Sequence, residues 1–189
     1  MPRRITFFRQ ENQTQMERKG PQDIAEITQV LADFGTCLVA CQLAEKTMCF
    51  ALTFIFRSDP IGSTAQIQET VEQLSRSTLG ALIRRLKKHV ELHDRFERHM
   101  QVFLDDRNRL AHRIDDIADL STQDGRKIAR EFAARLVDRA ETTTKIFAAI
   151  CYQWAEAIGY EGDLNESVRA WVGSPWMTHA TMLFRAKDR

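Results

Sequence analysis

Proline and glycine are scarce in this chain of 189 residues, at four and eight, and no proline falls between Pro60 and Pro175. Long stretches without breakers favour long helices. No excess of one charge is present either: 27 Lys and Arg face 26 Asp and Glu, for a net +1. Global charge therefore announces no partner. The four cysteines, Cys37, Cys41, Cys49 and Cys151, include no C-x-x-C pair, which argues against zinc. Three of them sit at spacings of four and eight, stacked on one helix face, where free cysteine packs like a small hydrophobe. This usage fits a reducing, cytoplasmic setting. The N-terminus, starting Met1-Pro2-Arg3-Arg4-Ile5, lacks the long apolar stretch of a secretory signal. The most apolar run, Leu38 to Phe56, is interrupted by Glu45 and Lys46 and reads as a buried helix, with no membrane partner expected. A glycine-flanked nucleophile serine and a phosphate-cradling glycine loop are both missing.

What is present is helical periodicity. The length suits one domain with a real core. Residues 1–21 are polar and end at Gly20-Pro21, which predicts a mobile or loosely docked arm. From Gln22 to Arg57, Ile24, Ile27, Val30, Leu31, Phe34, Leu38, Cys41 and Ala44 recur at three and four, as a core-facing helix requires. Ser58 to Ser63 reads as a loop. Further helices are expected at Thr64–Leu74, Leu79–Val90 and His93–Ile114, and after a Ser121 or Thr122 cap as far as Ala157, closed by Gly159. The expected fold is all-α: an up-and-down bundle of four to five helices over residues 22–158. Residues 159–189, with Trp171 and Trp176, form a tail expected to pack on the bundle or in a dimer interface.

Charge is uneven along the chain. Arg84 to Arg113 carries nine basic and five acidic residues, a local +4. Such a segment fits a localised anion site, and fits a solvated helix face as well.

Within it lies Arg107-Asn108-Arg109-Leu110-Ala111-His112. At 100° per residue, Phe96, Met100 and Phe103 fall within about 40° of Arg107. Arg107 therefore lies along an apolar stripe, where arginine is seldom placed without a reason. Ala111 follows at about 40°, Asn108 at about 100° and His112 at about 140°. The three polar groups share one flank with a small residue between them, which predicts a concave space lined by a cation, an amide and an imidazole. Arg109 falls on the far side and is expected to be solvated.

These groups suit phosphodiester cleavage. Imidazole moves protons in both directions near neutrality. Guanidinium presents a fork to phosphate oxygens. RNA brings its own nucleophile, the 2′-hydroxyl, so no metal or other cofactor is required. One chain offers one such histidine, and a two-fold dimer would bring two across an isologous seam. The spacing alone is cheap: Arg84 and His89 stand equally far apart, but with no amide after the arginine and with Lys87 and Lys88 before the histidine.

Arg107-Asn108 followed by His112 resembles the R-N-x-x-x-H motif of the HEPN superfamily. Thr78-Leu79-Gly80-Ala81-Leu82-Ile83, Leu104-Asp105-Asp106 before the motif, and Asp124-Gly125-Arg126 also resemble a group of small bacterial HEPN-like proteins. The likeness covers about residues 25–158. It implies a dimeric helical bundle and a metal-independent endoribonuclease of toxin or antiviral-defence type, leaving a 2′,3′-cyclic phosphate and a 5′-hydroxyl. It further implies that Arg107 holds the phosphate, Asn108 orients it or the histidine, and His112 moves the proton. RNA would be the substrate, and a neutralising antitoxin or a sensor a possible partner. Some members carry a tyrosine two residues after the histidine as a target for nucleotidyl transfer; here that position is Ile114, so that control is not expected. Other members are silent binding or regulatory modules, which is the alternative reading.

Glu45, Asp105 and Arg109 are supporting candidates. Glu45 could reach Arg107 or His112, or could form an exposed polar pair with Lys46. His93 and His99 read as surface or boundary residues. Trp154, Trp171 and Trp176 could stack on bases but suit core or interface anchoring better. A DNA-binding regulator rests only on the basic 84–113 segment, with no helix-turn-helix signature.

Overall fold

A computed structural model describes residues 20–56, 63–159 and 166–186. Residues 1–19 of the expected arm, and the loop at 58–62, lie outside the described residues. The elements in chain order are α1 (Pro21–Phe54), α2 (Thr64–Ser75), α3 (Leu79–His89), β1 (Val90–Leu92), α4 (Asp94–His112), a 3-10 turn (Ile114–Asp116), α5 (Gln123–Ala157), α6 (Glu166–Val172), α7 (Ser174–His179), a second 3-10 turn (Ala180–Leu183) and β2 (Phe184–Ala186). The fold is all-α apart from the two short strands.

Side-chain caps set the helix starts. The hydroxyls of Ser63, Thr78 and Thr122 accept from the backbone N–H of Gln66, Ala81 and Gly125, and the His93 ring accepts from Arg95 N–H. Each satisfies an amide that has no partner within its own helix. Two expected ends are corrected. The third helix stops at His89, because Val90 enters a strand, and the fourth stops at His112, with Ile114 in the 3-10 turn. The strands pair antiparallel, Val90 with Ala186 and Leu92 with Phe184. Three-residue strands joined across about half of the chain leave no local alternation to read.

The two long helices run parallel. Arg126 pairs with Asp23 and Glu26, the Phe34 and Phe132 rings meet edge-on at 6.4 Å, and Phe54 lies 6.1 Å from Trp154. The buried residues of α1 explain this contact: Val30, Phe34, Cys37, Cys41, Ala44, Met48 and Ala51 alternate strictly by four and three. That is the narrow seam of coiled-coil packing. Its small members let α5 approach, and the Cys37 thiol donates to Ala133 O at 3.3 Å. α4 runs antiparallel to α5, with Asp106 paired to Arg139 and His99 bonded to Thr143. α3 lies antiparallel to α4, with Gly80 beside Leu104 and Lys87 paired to Glu97. In the tail, the Phe184 ring packs 5.3 Å from both Phe96 and Phe56 and 5.9 Å from Phe147.

The seam also corrects the expectation of a buried helix over Leu38 to Phe56. Only 22% of its most apolar 18-residue window is buried. Ile24, Leu31 and Leu38, counted with the core stripe, are exposed, as are Val39, Leu43 and Phe50. A stripe two residues wide per seven covers one side of a helix; α2, α3 and α4 pack beside Glu45, Cys49 and Thr53 in the second half, and no described element covers the flank with Leu31, Leu38, Val39 and Leu43. By length and composition α1 could also cross a membrane.

Candidate functional site

Phe96, Met100, Phe103 and Leu110 form the buried stripe of α4. Arg107 falls on the same side, one turn past Phe103. Its guanidinium Nε donates to Glu45 Oε1 at 3.1 Å, with side chains only 23% and 17% exposed. Glu45 is thus directed at Arg107, and the alternative of an exposed polar pair with Lys46 falls away. The carboxylate engages Nε, and no described residue holds Nη1 or Nη2. A phosphate could be gripped by those remaining donors. The preceding residue, Asp106, pairs with Arg139 on α5. Consecutive residues therefore key α4 to α1 on one side and to α5 on the other, which fixes its rotation and register.

Asn108 is half-buried and His112 is exposed, and neither makes a hydrogen bond or ion pair with a described residue. His112 is the last residue of α4. Ala111 beside it is exposed too. The expected concave space is therefore an open helix flank: the chain turns away after His112 and nothing described roofs it.

Two supporting candidates take other roles. Arg109 is half-buried rather than free in solvent. Its Nη2 donates to Asp116 O at 2.9 Å and its guanidinium lies 5.6 Å from the Phe132 ring centroid. The 3-10 turn folds back over the end of α4, so the far side of the helix is covered rather than free. Asp105 is exposed and accepts from Gln101 within its own helix at 3.1 Å, away from Arg107. The second Arg–His pair differs in kind, since Arg84 is exposed and no described carboxylate pairs with it. His89 is discouraged from protonation by burial, then by Arg85 and Lys88.

The cysteines are free. Burial pushes the Cys37 thiol up to about 11 and the Cys41 thiol up to about 12, so both stay protonated. That excludes them as nucleophiles. Trp171 lies under Lys145, and Trp154 packs on Phe54. Among the described residues no group of three or more His, Cys, Asp or Glu side chains could hold a metal ion.

Two features escaped the sequence. Arg126, 5% exposed, clasps Asp23 and Glu26 at 2.8 Å each and donates to the Leu120 and Ser121 carbonyls. The Asp124-Gly125-Arg126 likeness thus falls on a structural joint between the starts of α1 and α5. His99 is the other: its Nε2 lies 2.9 Å from the Thr143 hydroxyl and its ring stacks on Phe96. Burial lowers its pKa more than any other cause. A depressed histidine stabilises the fold above its unfolded value of about 6.5 and loses that contribution as pH falls. The thermal midpoint should therefore drop between pH 7 and 5, and His99→Asn should flatten the drop. An unchanged slope in the variant would remove His99 as the cause.

A scan against protein-family models, a search of curated proteins and a search of solved structures each find no match.

Proposed function

We propose that this chain is a HEPN-like, metal-independent endoribonuclease of toxin or antiviral-defence type. The observation that carries the reading is Arg107: a guanidinium on an apolar stripe, held through Nε by Glu45 with its fork free of any described residue, directly before Asn108 and five residues before His112, neither of whose side chains bonds a described residue. The Arg107 fork holds the scissile phosphate and balances the charge added in the phosphorane. Asn108 orients the phosphate or the imidazole. A neutral His112 takes the proton from the 2′-hydroxyl, whose oxygen attacks phosphorus. The phosphorus–5′-oxygen bond breaks, and an imidazolium returns a proton to the leaving oxygen. The products are a 2′,3′-cyclic phosphate and a 5′-hydroxyl.

Two proton positions call for two imidazoles, so the active form is a homodimer with one site element from each copy. The uncovered apolar flank of α1, with Leu31, Leu38, Val39 and Leu43, supplies a surface for the second copy. Glu45 lies on the same helix, so a copy seated there comes beside Arg107. The setting is cytoplasmic, and an antitoxin or sensor restrains the activity.

The test is incubation of the purified chain with a mixed RNA pool in EDTA. Cleavage should persist. No cutting of any pool, together with no growth effect on expression, would discard the reading. The same apolar flank favours a second reading, a silent HEPN-like binding module, which would pair a stable complex with that negative result.

A further inference from the structure

A cavity of about 520 Å³ opens between α1, α2 and α3. That lies within the roughly 300–1,000 Å³ of ordinary small-ligand sites. Its wall is apolar, with Phe54, Val71 and Leu82, and the Phe50 ring stands at its lip, 46% exposed and 4.6 Å from Phe54. Polar groups also face it: Gln42, Lys46 and Ser77. Glu45 lines this cavity and is also the carboxylate that holds Arg107. The proposed phosphate site and the cavity therefore share one side chain.

We infer that this cavity is a base-binding subsite, which receives an unpaired nucleobase next to the phosphate that Arg107 holds. The inference rests on the ribonuclease reading and adds a substrate class to it: single-stranded RNA. A nucleobase has two apolar faces and a polar edge. The Phe50–Phe54 pair and the apolar wall match the faces. The Gln42 amide matches the edge, the Ser77 hydroxyl, which donates to Gln73 O, can still accept from it, and Lys46 can meet a neighbouring phosphate. An apolar side chain from a second copy would cover Gln42 and Lys46, whose side chains bond no described residue, and offer them no partner. A base inside a duplex is stacked and paired and cannot enter, whereas unpaired bases are read by stacking on aromatic rings.

The test uses His112→Ala, so that RNA stays intact, and fluorescence anisotropy with labelled ten-nucleotide probes. One set is single-stranded RNA, one is an abasic ribose-phosphate chain of equal charge, and one is duplex RNA. Base-bearing single strands should bind at least tenfold more tightly than the other two. Adding Phe50→Ala should weaken their binding by about 5- to 100-fold and leave the abasic chain unchanged, while Phe50→Trp restores it. Phe50 is exposed, so the variant should fold, which a thermal melt checks. Equal binding of abasic and base-bearing chains would overturn the subsite. So would an altered oligomeric state in Phe50→Ala with unchanged affinity, which assigns Phe50 to a subunit contact. If the wild type cuts RNA while Phe50→Ala binds normally, the subsite alone fails. If single strands bind through Phe50 but the wild type cuts nothing, cleavage alone fails.

Discussion

His112→Ala should lower RNA cleavage by about 10²- to 10⁴-fold, the range for loss of a positioned acid–base group, and should leave the fold intact. The expectation follows from where the imidazole sits. It is exposed on the last residue of α4 and makes no bond with a described residue, so its removal strands nothing and opens no cavity. A surface substitution of this kind usually changes stability by under about 0.5 kcal/mol. His89→Ala is the control for nonspecific loss of a basic histidine and should cut normally. Cleavage assays beside thermal melts read both. A His112→Ala protein that melts like wild type and still cuts at the wild-type rate would remove His112 from the mechanism.

Gly125→Ala should be the most damaging glycine-to-alanine change among the described residues. A Cβ built there would lie 1.8 Å from the Asp119 carbonyl oxygen, 2.6 Å from its carbon and 2.9 Å from Thr122 Oγ1. Two of those atoms are backbone, so the 119–122 segment must move. Moving it breaks the Thr122 cap on Gly125 N–H and the Leu120 and Ser121 carbonyl bonds to Arg126. A lost cap is worth about 1 kcal/mol, overpacking about 1–3, and bonds to a buried charged group more. A total near 3–5 kcal/mol would lower the melting midpoint by roughly 6–20 °C for a domain of this size. A shift under about 2 °C would show that the 119–122 turn yields freely.

What could be read in advance follows from physical range. The helix starts were visible because each depends on one polar side chain within three residues: Ser63, Thr78 and Thr122. The alignment of Arg107 with Phe96, Met100 and Phe103 was visible because it needs only the helical repeat. Glu45 was marked as a partner in reach, but its choice of Arg107 over solvent depends on how α1 and α4 are juxtaposed. Arg109 was misread for a similar reason, since helical angle says nothing of the 3-10 turn that folds back onto it. The exposed flank of α1 was misread because apolar residues mark a face as wanting cover without saying whether this chain supplies it. Ile24, Leu31 and Leu38 lie just outside a seam that period counting alone drew too wide.

The central claim is attack by a 2′-hydroxyl at the Arg107–His112 centre. It is tested most directly on one RNA with a mapped cut site, prepared with and without a single 2′-O-methyl group at the nucleotide 5′ of the scissile phosphate. The unmodified RNA should yield a 2′,3′-cyclic phosphate and a 5′-hydroxyl in EDTA, and the methylated linkage should stay whole. Cleavage of the methylated linkage, or products bearing a 5′-phosphate, would contradict the account.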